Sequence, residues 1–427
     1  FCVSVEADAL RRALDAQSPG LSGLIEQRCP NLFAALPVFV SRQHVDAMAE
    51  VVAAVEEVVA LPGYREAALA HAPEIAQHDP GARGAFMGYD FHLGAEGPRL
   101  IEINTNAGGA LLNAVLGQAQ RACCAEVAAL VNGPVPAEAL ERTFFDMFAA
   151  EWRHAGHAGL PRRIAIVDSA PEEQFLYPEF VLFERLFRRF GIDAVIRAPA
   201  QLAFADDELR DAAGRIDLVY NRLTDFALRE PAHGALRAAH RAGAAVVTPH
   251  PRVHALYADK RNLALLTDAA RLRAWGLSAA TIEVLARGIA RTEVVARADA
   301  ARLWADRRKL FFKPACGYGS KAAYRGDKLT RRVWEEILDG QYVAQALVVP
   351  SERRIAADTA LKVDVRNYVY SGEVQLLAAR LYQGQTTNLR TAGGGFAPVL
   401  TTAPAANAGG AEPTARHRQE IGRALEA

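Results

Sequence analysis

The strand and helix pattern between residues 161 and 250 constrains the fold more than any other feature of the sequence. Short apolar runs rich in Val and Ile alternate there with longer segments that carry apolar residues at helical spacing. In order, the pattern predicts strand 163–168, helix 175–190, strands 194–197 and 216–220, helix 231–242 and strand 245–248. Because strand and helix in turn are typical of a parallel sheet with helical crossovers, this range is predicted to be a small parallel α/β domain.

The first 160 residues have two different patterns. Residues 1–80 are predicted to be a helical N-terminal segment, because helical spacing runs from about Val38 to Val59 with a good N-cap at Ser41. Residues 81–160 are predicted to hold strand 99–104, then a glycine turn, then a helix from about Ala110 to Val131.

The last part of the chain, 251–427, is predicted to hold consecutive strands. They lie near 310–313, 342–348, 361–370 and 374–381, with no long helix between them. Such an order favours an antiparallel sheet. A loop rich in Ala, Gly and Pro is predicted over 402–413, and a short charged helix from about Ala415.

Size and composition exclude several classes of protein. The chain has 427 residues, about half of them apolar, which suits two or three packed subdomains. The formal net charge is zero, so no whole-protein field attracts nucleic acid or an acidic membrane. Five cysteines without a CxxC pair favour a reducing compartment. No apolar run approaches the roughly 20 residues of a membrane span, so we expect a cytoplasmic protein that binds neither nucleic acid nor membrane.

The stretch I-E-I-N-T-N, residues 101–106, offers the first group of candidate metal ligands. Glu102 and Asn104 lie two residues apart on a predicted strand, so their side chains project from the same face. Asp90, twelve residues before Glu102 on the preceding strand of a predicted hairpin, can reach the same ion. Mg²⁺ prefers a few protein oxygens and completes its octahedron with phosphate oxygens and water. Taken alone, an E-x-N is better explained by an exposed strand edge that carries an acid.

A second group lies where strand 310–313 ends at Lys313 and enters the loop C-G-Y-G-S-K, residues 316–321. Loop glycines let backbone N–H groups approach phosphate oxygens closely. The GxxxxGK[ST] order of a Walker loop is absent. A plain turn with solvated lysines explains the loop equally well when it is taken alone.

Two arginines and a glycine run form the third group. Arg366 follows Asp364 in D-V-R, Arg380 ends A-A-R, and Asn388 precedes three glycines at 393–395. Paired strands would bring the two arginines together, and two arginines beside a metal suit a transferring phosphoryl group or an acyl phosphate. The alternative is a solvated sheet face with salt bridges.

In this order the segments resemble the catalytic core of the ATP-grasp ligases. There, a D-x-R strand, an A-x-R strand and an asparagine with a glycine-rich turn precede a helix, which leads to a strand with an aspartate and then to E-x-N. Here Asp90 and the E-x-N of Glu102 stand near the start of the chain. The sequence therefore resembles a circularly permuted ATP-grasp fold of α/β class with an antiparallel sheet core.

That permutation is similar to the eukaryotic-type glutathione synthetases and the glutathionylspermidine synthetases, in which E-x-N also comes early. The resemblance to the glutathione synthetases covers most of the chain from about Leu32, including V-Y-N-R at 219–222 and A-D-K at 258–260. Where those enzymes have a metal-binding glutamate after a K-P pair, this chain has Cys316 and Gly317. This departure leaves Asp90 as the candidate third metal ligand.

The resemblance implies ATP and Mg²⁺ as cofactors and a role for each matched residue. The residues expected to hold ATP, at its phosphates or beside adenine, are Lys260, Lys313, Gly317, Gly319, Ser320, Lys321, Gln345 and Leu347. Those expected to hold the metal are Asp90, Glu102 and Asn104, and those expected to face the substrate are Asn106, Gly108, Gly109 and Arg222. Arg366, Arg380 and Asn388 are the expected catalytic residues.

The function implied is that of an ADP-forming carboxylate–amine ligase, which makes an amide through an acyl phosphate. Its substrates would be a small carboxylic acid and an amine, such as an amino acid or a short peptide. The family's second substrate arginine and its lid are not identifiable here, so the acid and the amine stay open. A small-molecule kinase and a nucleotide-binding protein without turnover are the alternatives. Members are often dimers, which leaves a homodimer open.

Overall fold

The computed structural model describes residues 3–122, 135–317, 322–356 and 358–401. The loop predicted over 402–413, the helix from Ala415 and the loop residues Gly319, Ser320 and Lys321 lie outside the described residues. None of the helices in the described part combines the length and the apolar character that a membrane crossing needs.

The described strands are β1 Val3–Val5, β2 Val38–Val40, β3 Met87–Gly94, β4 Gly97–Asn104, β5 Gln120–Ala122, β6 Arg163–Val167, β7 Asp193–Arg197, β8 Ala203–Ala205, β9 Glu208–Asp211, β10 Gly214–Arg215, β11 Leu218–Asn221, β12 Val246–Thr248, β13 Thr292–Val294, β14 Leu310–Pro314, β15 Tyr324–Arg325, β16 Tyr342–Ala346, β17 Glu352–Ala356, β18 Thr359–Tyr370, β19 Glu373–Tyr382 and β20 Gly395–Thr401. The described helices are α1 Ala7–Gln17, α2 Leu21–Arg28, α3 Arg42–Ala60, α4 Pro62–Leu69, α5 Ala110–Gln118, α6 Ala137–His154, α7 Tyr177–Arg189, α8 Gly234–Ala242, α9 Pro251–Tyr257, α10 Arg261–Leu266, α11 Ala269–Ala274, α12 Ala279–Gly288, α13 Ala300–Asp306 and α14 Arg331–Asp339.

A seven-stranded sheet, the central sheet, unites the two ends of the described chain. Its order is β2-β20-β19-β18-β3-β4, with β17 paired to β18 as well. Strand β2 is parallel to β20, and the other pairs are antiparallel. The predicted C-terminal strands do pair antiparallel, but they belong to two sheets: those near 361–370 and 374–381 lie here, and those near 310–313 and 342–348 lie in another sheet. Strand β18 pairs directly with the hairpin β3–β4. This adjacency is what a permuted chain requires, although the permutation itself stays a prediction.

A separate four-stranded sheet is parallel throughout, in the order β12-β11-β6-β7. Strand β6 is buried along its whole length, as expected when helices cover both faces of a parallel sheet. This confirms the small parallel α/β unit, while its predicted boundaries at 161 and 250 stay a prediction. Because the strands are parallel, their carboxyl ends meet at one edge, where Asp168 and Arg222 follow β6 and β11.

A third, smaller antiparallel sheet has the order β13-β16-β14-β15. It packs against its own group of buried residues, among them Leu303, Phe312 and Trp334. Lys313 on β14 and Gln345 on β16 lie in this sheet, so the side chains predicted to contact nucleotide belong to a unit distinct from the central sheet.

Helix α3 packs against one face of the central sheet. The Ser41 side chain accepts a hydrogen bond from the backbone N–H of His44, which confirms the predicted N-cap. The predicted helical spacing began at Val38, but Val38–Val40 is a strand, because its backbone pairs with β20. The helix begins only after the cap at Ser41. The buried face of α3, which includes Val51, Val55 and Val58, packs in the same core as β3, β4 and β18.

The helix predicted from about Ala110 to Val131 is wrong in its second half. Helix α5 ends at Gln118, and Gln120–Ala122 forms a strand antiparallel to Val3–Val5. Every residue from Ala110 to Gly117 is buried, so no change in periodicity marks the helix end. Residues 123–134 lie outside the described part.

The buried carboxylate of Glu151 ties four segments together. It accepts hydrogen bonds from the backbone N–H groups of Arg83 and Gly84, each at 2.8 Å, and from the hydroxyls of Thr248 and Tyr370. The side chain lies in α6, and its donors come from the 81–85 loop, β12 and β18. The parallel sheet is thereby joined to the central sheet.

Replacing Glu151 with Ala should lower the free energy of unfolding by about 3 kcal/mol or more, since four donors, three of them buried, lose their acceptor. Glu138→Ala, an exposed change in the first turn of the same helix, should cost less than about 1 kcal/mol. Urea unfolding of both variants measures the difference. Equal stability of the two variants would show that the buried carboxylate does not hold these segments together.

Candidate functional site

Charged side chains form a row across the central sheet. Glu102 lies opposite Asp90, and Asp90 lies opposite Arg366, in the register of β4, β3 and β18. Arg380 on β19 lies opposite Asp364 on β18. Because residues directly opposite each other in antiparallel strands share a face, the sheet presents these groups together.

The carboxylate of Asp90 holds both arginines. Arg366 donates from Nε to Oδ1 at 2.6 Å and from Nη2 to Oδ2 at 2.7 Å. Nη2 of Arg380 lies 2.9 Å from Oδ2. Burial would raise the pKa of Asp90, but the two guanidinium groups hold it below its usual value. Both oxygens are thus engaged, which favours Asp90 as the anchor of the arginines rather than as the predicted third metal ligand.

Asp364 fixes Arg380 from the other side. Arg380 donates from Nε at 2.7 Å and from Nη2 at 2.9 Å to the two oxygens of Asp364, and the hydroxyl of Thr387 donates to the same carboxylate. Asp364 is fully buried. Since two buried carboxylates hold one guanidinium, its orientation is set by the protein before any ligand binds.

Glu102 is paired with Lys260. Nζ of Lys260 lies 3.0 Å from Oε1 of Glu102 and donates to the carbonyl of Gly317 at 3.0 Å. Burial would raise the pKa of Glu102, but Lys260 and Lys313 lower it below its usual value. The side chain of Glu102 is 27% exposed against 8% for Lys260, so the carboxylate faces an open cleft.

Lys313 is buried and held in place by the third sheet. Its Nζ donates to the carbonyl of Ile101 at 3.0 Å and to Oε1 of Gln345 at 2.9 Å, and Nε2 of Gln345 donates to the hydroxyl of Thr292. Burial lowers the pKa of Lys313 to about 8. The side-chain amide of Gln345 therefore positions the ammonium group of Lys313.

Two clefts meet at Glu102. The first cleft lies between the third sheet and the central sheet, and its lining includes Ile101, Glu102, Lys260, Lys313, Gly317 and Leu347. The second cleft lies at the carboxyl edge of the parallel sheet, and its lining includes Asn104, Asn106, Asp168, Gln174, Arg222 and His254. Glu102, Lys260 and Gly317 line both clefts, so a group bound in one can reach a group bound in the other.

The far end of the second cleft holds a fixed cation beside an acid. Nη1 of Arg222 donates to Oδ1 of Asn106 and to the hydroxyl of Tyr220, while its buried Nε has no hydrogen-bond partner among the described residues. Nε2 of Gln174 donates to Asp168 at 3.1 Å, and burial raises the pKa of Asp168 to about 6. Such an end suits a ligand that carries a carboxylate and an amine.

The residues at the junction fit Mg²⁺. Nδ2 of Asn104 donates to Asp90 at 2.9 Å, so the amide oxygen, the atom that binds metals, is the one that Asp90 does not use. Within residues 3–122, 135–317, 322–356 and 358–401, no three His, Cys, Asp or Glu side chains converge closely enough to hold a metal ion. One carboxylate and one amide oxygen, completed by phosphate oxygens and water, are typical of Mg²⁺ sites rather than of closed metal cages.

No protein-family model and no curated protein matches the sequence. The fold is similar to that of a glutathione synthetase-like effector from Globodera pallida, at 13% identity and a TM-score of 0.54, over 91% of this chain and 96% of that one. The chain has a glutathione synthetase-like fold. The fold class predicted from the sequence, α/β with an antiparallel sheet core and similar to the glutathione synthetases, is thereby confirmed.

Two further similar structures give lower TM-scores. One is a putative gamma-glutamylcysteine synthetase from Methylobacillus flagellatus KT, at 8% identity and a TM-score of 0.45, over 82% of this chain and 85% of that one. The other is the ATP-grasp ligase PsnB, at 14% identity and a TM-score of 0.26, over 56% of this chain and 88% of that one.

Within this glutathione synthetase-like fold, three predicted site residues do not offer free groups to a cleft. Gly108 and Gly109 pack closely: a Cβ on Gly109 would lie 2.2 Å from Phe396, and its N–H donates to Glu179 at 2.7 Å. Asn388 bonds within its own turn, where Oδ1 accepts from the N–H of Arg390 and from the hydroxyl of Thr391. Their predicted roles in binding and catalysis remain untested, and the geometry does not favour them.

Of the other predicted residues in the described part, nine line a cleft: Glu102, Asn104, Asn106, Arg222, Lys260, Lys313, Gly317, Gln345 and Leu347. Asp90, Arg366 and Arg380 line neither cleft and lie beside Glu102 in the central sheet. Leu347 lines the first cleft, and its N–H donates to the carbonyl of Lys309 at 2.8 Å. The sequence analysis missed Asp168 and Gln174. The signal for Asp168 was available, because it directly follows a predicted parallel strand, and ligands of such sheets bind at the carboxyl ends of the strands.

Lys313 predicts a pH dependence of stability. Its pKa of about 8 in the folded protein lies below that of an unfolded lysine, so between these values the unfolded chain binds more protons and stability rises with pH. The slope approaches about 1.4 kcal/mol per pH unit above pH 8, and Lys313→Met should lack it. Urea unfolding between pH 7 and pH 9.5 measures this slope.

The exposed Lys328 offers a matched control. Lys328→Met should retain the pH dependence of the parent protein. Parallel pH curves for the parent protein and Lys313→Met would contradict the burial of a titrating lysine at this site.

Proposed function

We propose that this protein is an ADP-forming carboxylate–amine ligase that makes an amide through an acyl phosphate. One observation carries the proposal: two arginines are anchored on the buried carboxylate of Asp90, which lies opposite Glu102 in the sheet, and Glu102 lies where two clefts meet. Guanidinium groups held rigidly beside such a junction suit the transfer of a phosphoryl group from a nucleotide in one cleft to an acid in the other.

The first cleft is the proposed site of ATP. Lys260 and Lys313 hold the phosphates, and the backbone near Leu347 lies beside the base. Glu102 and Asn104 hold Mg²⁺, which when bound polarises the phosphate oxygens. Lys260 pairs with Glu102 in this structure. Exchanging that pair for phosphate and metal keeps every buried charge compensated, so binding leaves no unpaired ion.

The second cleft is the proposed site of the acid, with Arg222 as the fixed cation at its far end. Its reacting carboxylate lies toward Glu102, where Arg366 and Arg380 stabilise the negative charge of the acyl phosphate and of the oxyanion formed on attack by the amine. A well-aimed donor of this kind contributes about 3 kcal/mol of transition-state stabilisation. Because Asp90 and Asp364 already orient the arginines, little reorganisation is needed.

Hydroxylamine trapping tests the reaction class. Only an acyl phosphate yields a hydroxamate, so ATP, Mg²⁺ and a panel of amino acids and γ-glutamyl peptides are incubated with hydroxylamine, and ADP and product masses are measured. Release of ADP with equimolar hydroxamate is expected for the correct acid. ADP release with a stable phosphorylated product and no hydroxamate would assign a kinase, and no ADP with any acid would contradict turnover.

Glu102→Ala should reduce ADP release by about 100-fold or more, because the metal loses its only carboxylate ligand from the protein. Glu96→Ala, in the exposed turn of the same hairpin, should leave ADP release unchanged. Circular dichroism and thermal unfolding establish that both variants are folded. Unchanged ADP release by folded Glu102→Ala would exclude the proposed metal site.

A further inference from the structure

The second cleft has an apolar wall that the chemistry at its two ends does not require. Phe175, Leu176, Phe226, His254 and Leu389 line it. They come from four separate segments: the chain before α7, the loop after β11, helix α9 and the loop between β19 and β20. The charged side chains that line the same cleft are Asp168 and Arg222 at the far end and Glu102 and Lys260 at the junction.

Two residues of the wall, Phe226 and His254, form a flat aromatic stack. The rings of Phe226 and His254 lie 3.8 Å apart at an interplanar angle of 8°. Nδ1 of His254 shares a hydrogen bond of 3.0 Å with the hydroxyl of Thr105, the residue after Asn104 on the metal-binding strand. Burial lowers the pKa of His254 to about 4, so at neutral pH the ring is uncharged and presents an apolar face.

The charges around the wall separate two classes of ligand. A cation could stack on the rings, but the charges that line the cleft balance, Glu102 and Asp168 against Lys260 and Arg222, so the cleft has no excess negative charge to attract a cation. Burial of an apolar side chain against the wall is favourable without any charge partner.

We propose that the acid substrate is a short peptide whose carboxyl-terminal residue has a large apolar or aromatic side chain, which lies against Phe226 and His254. This inference rests on the proposed function. Arg222 and Asp168 hold the carboxylate and the amine at the other end of the peptide, and the reacting carboxyl terminus faces Glu102. Phe226 determines specificity for the side chain beside that carboxyl terminus.

The experiment compares four γ-glutamyl dipeptides as acids, named below by their carboxyl-terminal residue: phenylalanine, leucine, alanine and serine. They are tested with ATP, Mg²⁺ and hydroxylamine in the parent protein and in Phe226→Ala. The kcat/KM of ADP release for phenylalanine and leucine should exceed that for alanine and serine by about tenfold or more. Phe226→Ala should lower the values for phenylalanine and leucine and so remove this preference. Phe226→Leu should retain most of it.

Phe204→Ala is the matched control, because Phe204 on β8 is a partly buried aromatic residue that packs against the core of the parallel sheet and does not line the cleft. It should keep the preference of the parent protein. Equal or better use of alanine and serine by the parent protein, or an unchanged preference in Phe226→Ala, would overturn the inference while leaving the ligase assignment intact.

Calorimetric binding of the same four acids keeps the two proposals distinguishable. If no acid supports ADP release, the proposed function fails, yet the side-chain preference can still be measured by binding. Tighter binding of phenylalanine and leucine, lost in Phe226→Ala, supports the inference. Binding without that order overturns it.

Discussion

The interaction on which the site depends is the contact of Asp90 with Arg366 and Arg380. It joins strand β3, from the first quarter of the chain, to β18 and β19 near its end. Breaking one partner of such a buried group leaves an uncompensated charge, at a cost of about 3–5 kcal/mol. The same contact orients both arginines, so the pairing of these strands also fixes the geometry of the site.

The second consequence of this arrangement is the meeting of two clefts at Glu102. The central sheet contributes Glu102, the third sheet contributes Lys313, and the loop after α9 contributes Lys260. The parallel sheet contributes the far end of the second cleft through Arg222. Each unit supplies one part, and Glu151 fixes the parallel sheet against the central sheet. The distance between the two clefts is therefore set by packing between units.

Much of the fold was predictable because its signals are local. Alternating strands and helices identified the parallel sheet, and the spacing after Ser41 identified α3 with its cap. The failures have physical reasons. Helix α5 is buried on all sides, so its sequence has no alternation of polar and apolar faces whose end would mark the end of the helix. Val38–Val40 reads as helix because its strand pairing depends on β20, more than 350 residues away.

The sequence alone identified most of the charged groups of the site, because their chemistry depends on residue type and short spacing. Glu102 and Asn104 share a face on any strand, and D-V-R and A-A-R place Arg366 and Arg380 on strands. Only the tertiary structure decided what each group does with its neighbours. In the folded chain Asp90 binds the arginines, Gly109 packs against Phe396, and Asn388 forms hydrogen bonds within its own turn. Folding also places Asp168, Phe226 and His254 in one cleft. Contacts between residues far apart in the chain depend on which surfaces pack together, and local spacing carries no record of that packing.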